Sequence, residues 1–375
     1  MNSKYVLCKA VMGVSLLGLI GLLSACGGGG GGSSSGGTTL TQMGGSKQGS
    51  PLVLTKSVTT ISGFPLVSGS DDGTTTAKFN SPYSITTDGT NLYVADSNNS
   101  TIRKIVIATG AVTTVAGTAL ATGSIDDTGA AARFAGPDGI TTDGTNLYVA
   151  DTFNHTIRKI VIATGAVTTV SGSAGVAGAT DGTAAARFSY PHGITTDGVN
   201  LYVADSGNST IRQIIIATGA VSTVAGSAGV TGSTDGTAAA KFKSPQYITT
   251  DGANLYVADT GNHTIRKIVI ATGAVTTLSG SAGMTGVTDG TSAARFDNPD
   301  GLTTDGVNLY VADTGNNTIR KIVISTHEVT TLAGSSAGSA DGISAAKFNN
   351  PYGITNDGAN LYVADTFNHT IRKIQ

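Results

Sequence analysis

The chain has 375 residues and no tryptophan, so any core must be built from smaller side chains. Its formal net charge is −2, which excludes the large basic excess typical of a nucleic-acid-binding surface. Both cysteines, Cys8 and Cys26, lie in the first 26 residues, so a disulfide framework is excluded for the rest of the chain.

Residues 1–25 have the features of a signal peptide. Lys4 and Lys9 form a short basic stretch, and residues 10–23 form an apolar run that is too short to span a bilayer comfortably. The run ends in Leu-Ser-Ala-Cys at Cys26, which resembles the lipobox of bacterial lipoproteins. That resemblance implies lipidation of Cys26. The alternative is an ordinary signal peptide, or a short membrane anchor, with an incidental cysteine.

Residues 26–50 are predicted to be the lipidated cysteine followed by a Gly/Ser-rich tether. This composition cannot bury enough apolar surface to offset the entropy of the chain. The tether would have a root-mean-square reach of roughly 25 to 30 Å. The residue directly after the cysteine is Gly27 and not an acid. This resembles a signal for sorting to the outer membrane more than one for retention in the inner membrane. We therefore expect a protein of the bacterial cell envelope, at the outer membrane or cell surface, that meets its membrane only through the lipid anchor.

Residues 51–375 contain six copies of one motif. Asn-Leu-Tyr-Val-Ala-Asp is followed each time by a Thr-Ile-Arg block, and the copies start 52 to 55 residues apart. The copies begin at Asn91, Asn146, Asn200, Asn254, Asn308 and Asn360. A unit repeated at a nearly fixed period must bury its apolar faces against its neighbours.

Each copy is predicted to form four antiparallel strands. In the third copy they are residues 193–196, 201–204, 210–216 and 221–225, separated by turns rich in Gly, Asp and Asn. Four such strands form a β-propeller blade. The last copy lacks its fourth strand, and residues 58–63 match the missing sequence. We therefore predict an all-β, six-bladed propeller whose ring is closed by the N-terminal strand.

The repeat also resembles a known family. The segment Leu-Tyr-Val-Ala-Asp-Thr-Phe-Asn-His-Thr-Ile-Arg-Lys-Ile, read from Leu147 or Leu361, is similar to the NHL repeat, and the resemblance covers residues 51–375. The preceding Asp-Gly-x-Ala-Ala-Arg/Lys-Phe-x-x-Pro segment is similar to bacterial NHL proteins. The resemblance implies a six-bladed propeller that usually binds proteins, nucleic acid or glycans, with a minority of enzymes. The fold does not choose among these functions.

The copies differ most at the residue after the proline that begins each blade. Strand one is innermost in a propeller, so these side chains should surround the axial channel on the top face, which carries the turns between strands two and three. They are Tyr83, Asp138, His192, Gln246, Asp300 and Tyr352, here called the mouth ring. Tyr190 and Tyr247 fall within one residue of this position and belong to the predicted binding site. Aromatic side chains among acids and amides are typical of recognition surfaces, although neutral drift in loosely packed loops also produces such variation.

The mouth ring leaves an enzymatic alternative open, a small-molecule or metal-assisted hydrolase or lyase at the channel mouth. Asp138, His192 and Asp300 could ligate a divalent ion that activates water. Pro-His-Gly at His192 looks similar to the amidating lyases, which share this fold and have zinc-binding histidines there. The other five copies have Asp, Gln or Tyr at that position, so the three-histidine site is not built. We predict no catalytic residue, no metal site and no cofactor.

Two further patterns are interpreted as scaffold, and a third, a pair of acid doublets, is only a weak candidate for calcium binding. A histidine in the turn between strands two and three exchanges with Asn or Ser between blades, which predicts a polar turn cap at His155, His263 and His369. Each motif aspartate has an arginine seven residues later, and these opposite charges should satisfy one another. The acid doublets 71–72 and 126–127 lack the spacing of a calcium-binding loop.

These patterns together predict a binding protein more than an enzyme. We expect a monomeric, non-catalytic scaffold that presents its top face to a protein or glycan, with no nucleic acid among its partners.

Overall fold

A computed structural model of the chain describes residues 50–375. In this part of the chain, 24 strands form six four-stranded antiparallel sheets arranged as the blades of a propeller, which confirms the predicted fold class. The same residues include no helix long and apolar enough to cross a membrane. The predicted signal peptide, Cys26 and nearly all of the tether lie outside the described residues.

The blades follow one another along the chain. Blade 1 comprises β2 (Pro82–Thr87), β3 (Asn91–Asp96), β4 (Thr101–Val106) and β5 (Val112–Ala116). Blade 2 comprises β6 (Pro137–Thr142), β7 (Asn146–Asp151), β8 (Thr156–Val161) and β9 (Val167–Gly172). Blade 3 comprises β10 (Pro191–Thr196), β11 (Asn200–Asp205), β12 (Thr210–Ile215) and β13 (Val221–Gly226).

The second half of the ring has the same organisation. Blade 4 comprises β14 (Tyr247–Thr250), β15 (Asn254–Asp259), β16 (Thr264–Val269) and β17 (Ala274–Gly280). Blade 5 comprises β18 (Pro299–Thr304), β19 (Asn308–Asp313), β20 (Thr318–Val323) and β21 (Val329–Gly334). Blade 6 comprises β22 (Pro351–Asn356), β23 (Leu361–Asp365), β24 (Thr370–Ile374) and the N-terminal β1 (Val58–Gly63).

Short 3₁₀ helices occur in the loops of this fold. They are Ser97–Asn99, Gly129–Ala131, Thr152–Asn154, Ser206–Asn208, Thr260–Asn262, Thr314–Asn316 and Thr366–Asn368. All except Gly129–Ala131 connect strands two and three of a blade on the top face.

The N-terminal strand completes blade 6, as the sequence predicts. β1 pairs antiparallel with β24, with Val58 opposite Ile374. The Thr60 backbone N–H also donates to Asp341 Oδ2 at 3.0 Å. As the fourth strand of its blade, β1 runs from the bottom face to the top face. The preceding segment therefore lies at the bottom, where the Leu52 N–H donates to Asp305 Oδ2 at 2.9 Å.

The turn between strands one and two lies at the bottom of each blade and stabilises the pairing of these two strands. In blade 1, Asp88 Oδ1 accepts the N–H of Thr90 at 2.8 Å and that of Asn91 at 2.6 Å, and Asp88 Oδ2 accepts the Tyr93 hydroxyl at 2.9 Å. Burial opposes the charge, yet these hydrogen bonds hold the pKa of Asp88 below its usual value. Gly89, with φ of +88°, supplies the left-handed position of the turn.

The hydrophobic core lies between neighbouring blades. In one representative cluster, Tyr93 and Ile102 of blade 1 pack with Ile140 and Leu147 of blade 2. Phe134, from the connection between the two blades, is fully buried in the same cluster. Each blade thus depends on its neighbours for burial of its apolar faces, as a repeat architecture requires.

A buried ion pair recurs in every blade and confirms the predicted pairing of motif acid and arginine. Arg103 Nη1 lies 2.8 Å from Asp96 Oδ2, and both side chains are fully buried. The guanidinium carbon lies 5.2 Å from the centroid of the Phe79 ring. Arg103 Nη2 also contacts Asp72 Oδ1 at 2.8 Å. One acid of the 71–72 doublet therefore serves the scaffold.

Candidate functional site

Irregular pairing at the start of the innermost strand determines where the mouth-ring side chains lie. In blade 3, Pro191 pairs with Asp205 and Ile194 with Val203, so the two residues between them stand outside the regular ladder. Such a bulge redirects a side chain relative to the strand. Comparable shifts occur at the start of β2, β6, β18 and β22. Blade 4 has no shift, and its first strand begins only at Tyr247.

Side chains of the mouth ring meet over the propeller axis. The Tyr83 hydroxyl of blade 1 lies 3.5 Å from Asp300 Oδ2 of blade 5, and its ring centroid lies 6.2 Å from that of His192 in blade 3. These three blades are not neighbours, so their contacts place the cluster at the centre of the top face. Tyr352 stacks on Tyr83 with ring centroids 4.3 Å apart.

The charged members of the mouth ring also lie together. His192 Nδ1 lies 3.1 Å from Asp138 Oδ2, and the Ser97 hydroxyl donates to Asp138 Oδ1 at 2.9 Å. Asp138 and Asp300 are buried, with 7% and 2% of their surface exposed. Two buried carboxyl groups thus lie near one imidazole, which contacts only Asp138 directly.

Burial and mutual charge change the acid–base properties of this cluster. Burial raises the pKa of Asp300 to about 7, an effect that His192 opposes and Asp138 increases. Burial lowers the pKa of His192, but the Asp138 and Asp300 carboxylates outweigh it and raise that pKa above its ordinary value. Asp300 can therefore change its protonation state near neutral pH.

A hydrogen bond crosses the axis just below the mouth ring, between residues that each follow a mouth-ring residue by one position. The Tyr247 hydroxyl of blade 4 and Ser84 Oγ of blade 1 lie 2.7 Å apart, and these blades are opposite each other in the ring. The equivalent residue in the other blades is glycine, which allows close approach. A Cβ on Gly193 would lie 2.6 Å from Tyr247 Cα. Tyr247 therefore lies beneath the mouth ring and crosses the channel there.

A cleft opens beside the mouth ring, between the tops of blades 4, 5, 6 and 1. Its volume is about 240 Å³. It is lined by Tyr83, Gln246, Thr260, Asn298, Asp300, Thr314, Gly315, Asn350 and Tyr352. Two buried acceptor atoms here, Asp300 Oδ1 and Gln246 Oε1, have no hydrogen-bond partner among the described residues. Buried polar atoms are normally paired, so these two are candidates for ligand contact.

Tyr190 does not join the other predicted site residues. Its backbone is left-handed, with φ of +48°, and its ring packs edge-on against His155 with centroids 4.7 Å apart. The ring also lies 6.2 Å from Phe153. The sequence position next to the proline was therefore a poor guide for this residue, because the positive φ turns its side chain toward the adjacent blade.

Two exposed aromatic residues of the top face were missed in the sequence. Phe153 and Phe367 are 62% and 47% exposed, and Phe367 lies 6.3 Å from Tyr352, ring to ring. Phe367 extends the Tyr83–Tyr352 stack away from the axis. The signal was available, since only blades 2 and 6 have Phe where the other turns have Gly or Asn.

The turn histidines are caps, as predicted. His155 Nδ1 accepts the Tyr190 N–H at 3.1 Å, and His369 Nδ1 accepts the Ser81 N–H at 3.0 Å. Asn317 Oδ1 makes the same contact with the Asn350 N–H at 2.8 Å. Each cap thus connects one blade to the first residues of the next.

The three residues considered as metal ligands from the sequence lie near one another at the mouth ring. Asp138, His192 and Asp300 belong to one cluster, yet no group of three His, Cys, Asp or Glu side chains suited to a metal ion occurs in residues 50–375.

Known proteins resemble this chain in sequence. No family model matches it. Human NHL repeat-containing protein 2 is 30% identical over 294 residues, which are 68% of this chain and 40% of that protein. The chicken NHL repeat-containing protein 2 is 30% identical over 300 residues, 69% of this chain and 41% of its own length. The chain thus spans about 40% of the length of these relatives.

Solved structures resemble its fold. A structural genomics protein of unknown function from Bacteroides thetaiotaomicron has a TM-score of 0.65 at 26% identity, over 85% of this chain and 75% of that one. An auxiliary nutrient binding protein from the same organism has a TM-score of 0.65 at 17% identity, over 85% of this chain and 76% of its own. The six blades and the sequence similarity together support the assignment of residues 58–374 as an NHL-type β-propeller.

Proposed function

We propose that this protein is a non-catalytic binding scaffold of the bacterial cell envelope, which recognises a protein or glycan with the mouth ring and the adjoining cleft. One observation carries the proposal: six side chains that vary between otherwise similar blades converge at the axis and leave buried acceptor atoms unpaired beside a cleft. Stacked aromatic rings beside directed polar groups are typical of ligand sites.

Similarity to known structures supports binding only in general terms. One structural neighbour is named an auxiliary nutrient binding protein, and at 17% identity it shares the fold alone.

The sharpest test is an array of glycans and peptides probed with the purified protein. We expect wild-type protein to bind a defined subset of ligands and the Tyr83→Ala/Tyr352→Ala variant to lose them. Removing an aromatic anchor at the centre of a site typically costs roughly 1 to 4 kcal/mol, an about fivefold or greater loss of affinity. An unchanged binding pattern in this variant would contradict the proposal.

Anchoring at Cys26 is a separate part of the proposal. Only a thiol at the lipobox can be acylated, so Cys26→Ser is expected to release the protein from the membrane fraction or leave it unprocessed. The N-terminal segment reaches the propeller at the bottom face, so the anchor would attach on the side opposite the mouth ring, through a tether that leaves the orientation of the propeller free. Complete partition of the serine variant with membranes would refute the lipid anchor.

A further inference from the structure

The cleft beside the mouth ring contains two buried acceptor atoms that a ligand could pair with. Asp300 Oδ1 and Gln246 Oε1 both accept hydrogen bonds, and neither has a partner in the part of the chain that the structure describes. The hydroxyl groups of Thr260 and Thr314 already donate to the carbonyls of Pro299 and Pro351. A ligand that pairs with these two oxygens must therefore bring donors.

The charge of the site favours a ligand that carries a positive charge. Asp300 is 98% buried and is the only charged residue among the described residues that line the cleft. The charged groups that face it are His192 and Asp138. Two carboxyl groups against one imidazole leave a negative excess once both acids are ionised, and a cationic ligand would offset it.

The aromatic residues supply a surface for an apolar stem. Tyr83 and Tyr352 line the cleft as a stacked pair, and Phe367 continues the aromatic surface outward from Tyr352. Aromatic faces attract cations and pack against methylene groups.

We propose that the cleft binds a primary ammonium group, from a lysine side chain of a peptide or from a free alkylamine, which donates to Asp300 Oδ1 and Gln246 Oε1 while its methylene stem packs against Tyr83 and Tyr352. The inference rests on the proposed function and names the ligand chemistry of the same site.

The test compares charged probes with uncharged counterparts on the full-length protein by calorimetric titration. The peptide source is represented by Nα-acetyl-lysine methylamide and its Nε-acetylated form, and the free-amine source by butylammonium and 1-butanol. We expect each ammonium probe to bind at least about tenfold more tightly than its uncharged counterpart. Tighter binding of the lysine probe than of butylammonium would indicate a peptide ligand, and the reverse order a free amine.

Variants separate the Asp300 interaction from general electrostatics. Asp300→Asn should weaken binding of the ammonium probe about tenfold or more, whereas Asp127→Asn removes the same charge from an exposed loop and should leave it unchanged. Binding to wild type should strengthen as pH rises through about 7, where Asp300 ionises, and this dependence should be markedly smaller in Asp300→Asn, where only His192 still loses its charge. Besides His192 and Asp138, the titratable groups facing Asp300 are Tyr83, Tyr247 and Tyr352, and burial raises the pKa of all three tyrosines.

Three results would overturn the inference: equal affinity for charged and uncharged probes, no effect of Asp300→Asn, or no binding of any ammonium probe at roughly 10 mM, where even weak sites are occupied. Failure of this inference can be distinguished from failure of the proposed function. If array ligands depend on Tyr83 and Tyr352 but carry no ammonium group, the binding role stands and the ammonium specificity is wrong.

Discussion

At the scale of single residues, Asp300 combines high burial with an unpaired oxygen. Only 2% of its surface is exposed, and burial raises its pKa from 3.8 to about 7. The native state therefore holds a proton on this carboxyl more tightly than the unfolded chain does. Its contribution to stability is present at low pH and is lost as pH rises through about 7. A residue retained at such a cost to folding is expected at a binding site.

This property predicts that Asp300→Asn stabilises the protein above neutral pH. Because asparagine carries no charge, the free energy of unfolding at pH 8 should rise by at least about 1 kcal/mol, while at pH 4 the variant and wild type should be similar. Denaturant unfolding at the two pH values provides the measurement. Destabilisation by the same amount at both values would show that the charge of Asp300 carries no folding cost.

The turn histidines give an opposite dependence on pH. Burial lowers the pKa of His155 and His369 below the ordinary 6.5, and Nδ1 of each must be unprotonated to accept its hydrogen bond. Their contribution to stability is present above about 6.5 and is lost as pH falls through the lowered pKa of the native state.

The double variant His155→Asn/His369→Asn should therefore be less sensitive to acid than wild type. Asn317 makes the same contact in blade 5, so asparagine is a matched replacement that retains the acceptor without a titrating ring. Melting temperatures at pH 7.5 should be similar, and the drop on going to pH 5.5 should be smaller for the variant. Parallel melting curves at the two pH values would mean that the caps do not titrate during unfolding.

At the scale of elements, one strand closes the ring. β1 provides the fourth strand of blade 6, and Val58 is fully buried in the core between blades 5 and 6. Thr60 adds a contact to Asp341, the acid that also pairs with Arg372. The two ends of the described chain are thereby joined in one blade, and each of the six described blades has four strands.

Removal of β1 should therefore destabilise the whole propeller. Deletion through Gly63 exposes the edge of β24, which is a template for aggregation, so we expect a markedly lower melting temperature or precipitation. Deletion through Ser50 serves as the control because it leaves every described strand intact. Equal melting temperatures for the two truncations would refute closure by the N-terminal strand.

Sequence periodicity was sufficient for the repeated elements and insufficient where a blade departs from the repeat. Four strands per copy follow from the turn residues and the apolar pattern, and closure follows from the match between the first and last strands. The regular start of β14 is such a departure, and it depends on local backbone geometry that identity alone does not reveal. The positive φ of Tyr190 is shared by the equivalent residue of every blade, but a repeated sequence does not by itself reveal a backbone angle. The pairing of Arg103 with Asp72 was missed because the two are 31 residues apart and meet only in the folded blade.

At the scale of the whole molecule, the two faces of the propeller differ. The bottom turns repeat nearly the same hydrogen bonds in every blade, and the N-terminal segment arrives there. The top face carries the mouth ring, the cleft and the exposed Phe153 and Phe367. Our proposal therefore places recognition on the face with the variable side chains, opposite the face at which the N-terminal segment arrives.

Calorimetric titration of a ligand into matched top-face and bottom-face variants tests this assignment most directly. The top-face variant replaces Tyr83, His192, Gln246 and Tyr352 with alanine, and the bottom-face variant replaces the exposed turn residues Thr109, Thr164 and Thr218. We predict at least a tenfold loss of affinity in the first and little change in the second, with both proteins folded. Unchanged affinity in the top-face variant, or loss in the bottom-face variant, would contradict the account and leave the variation of the mouth ring to neutral drift.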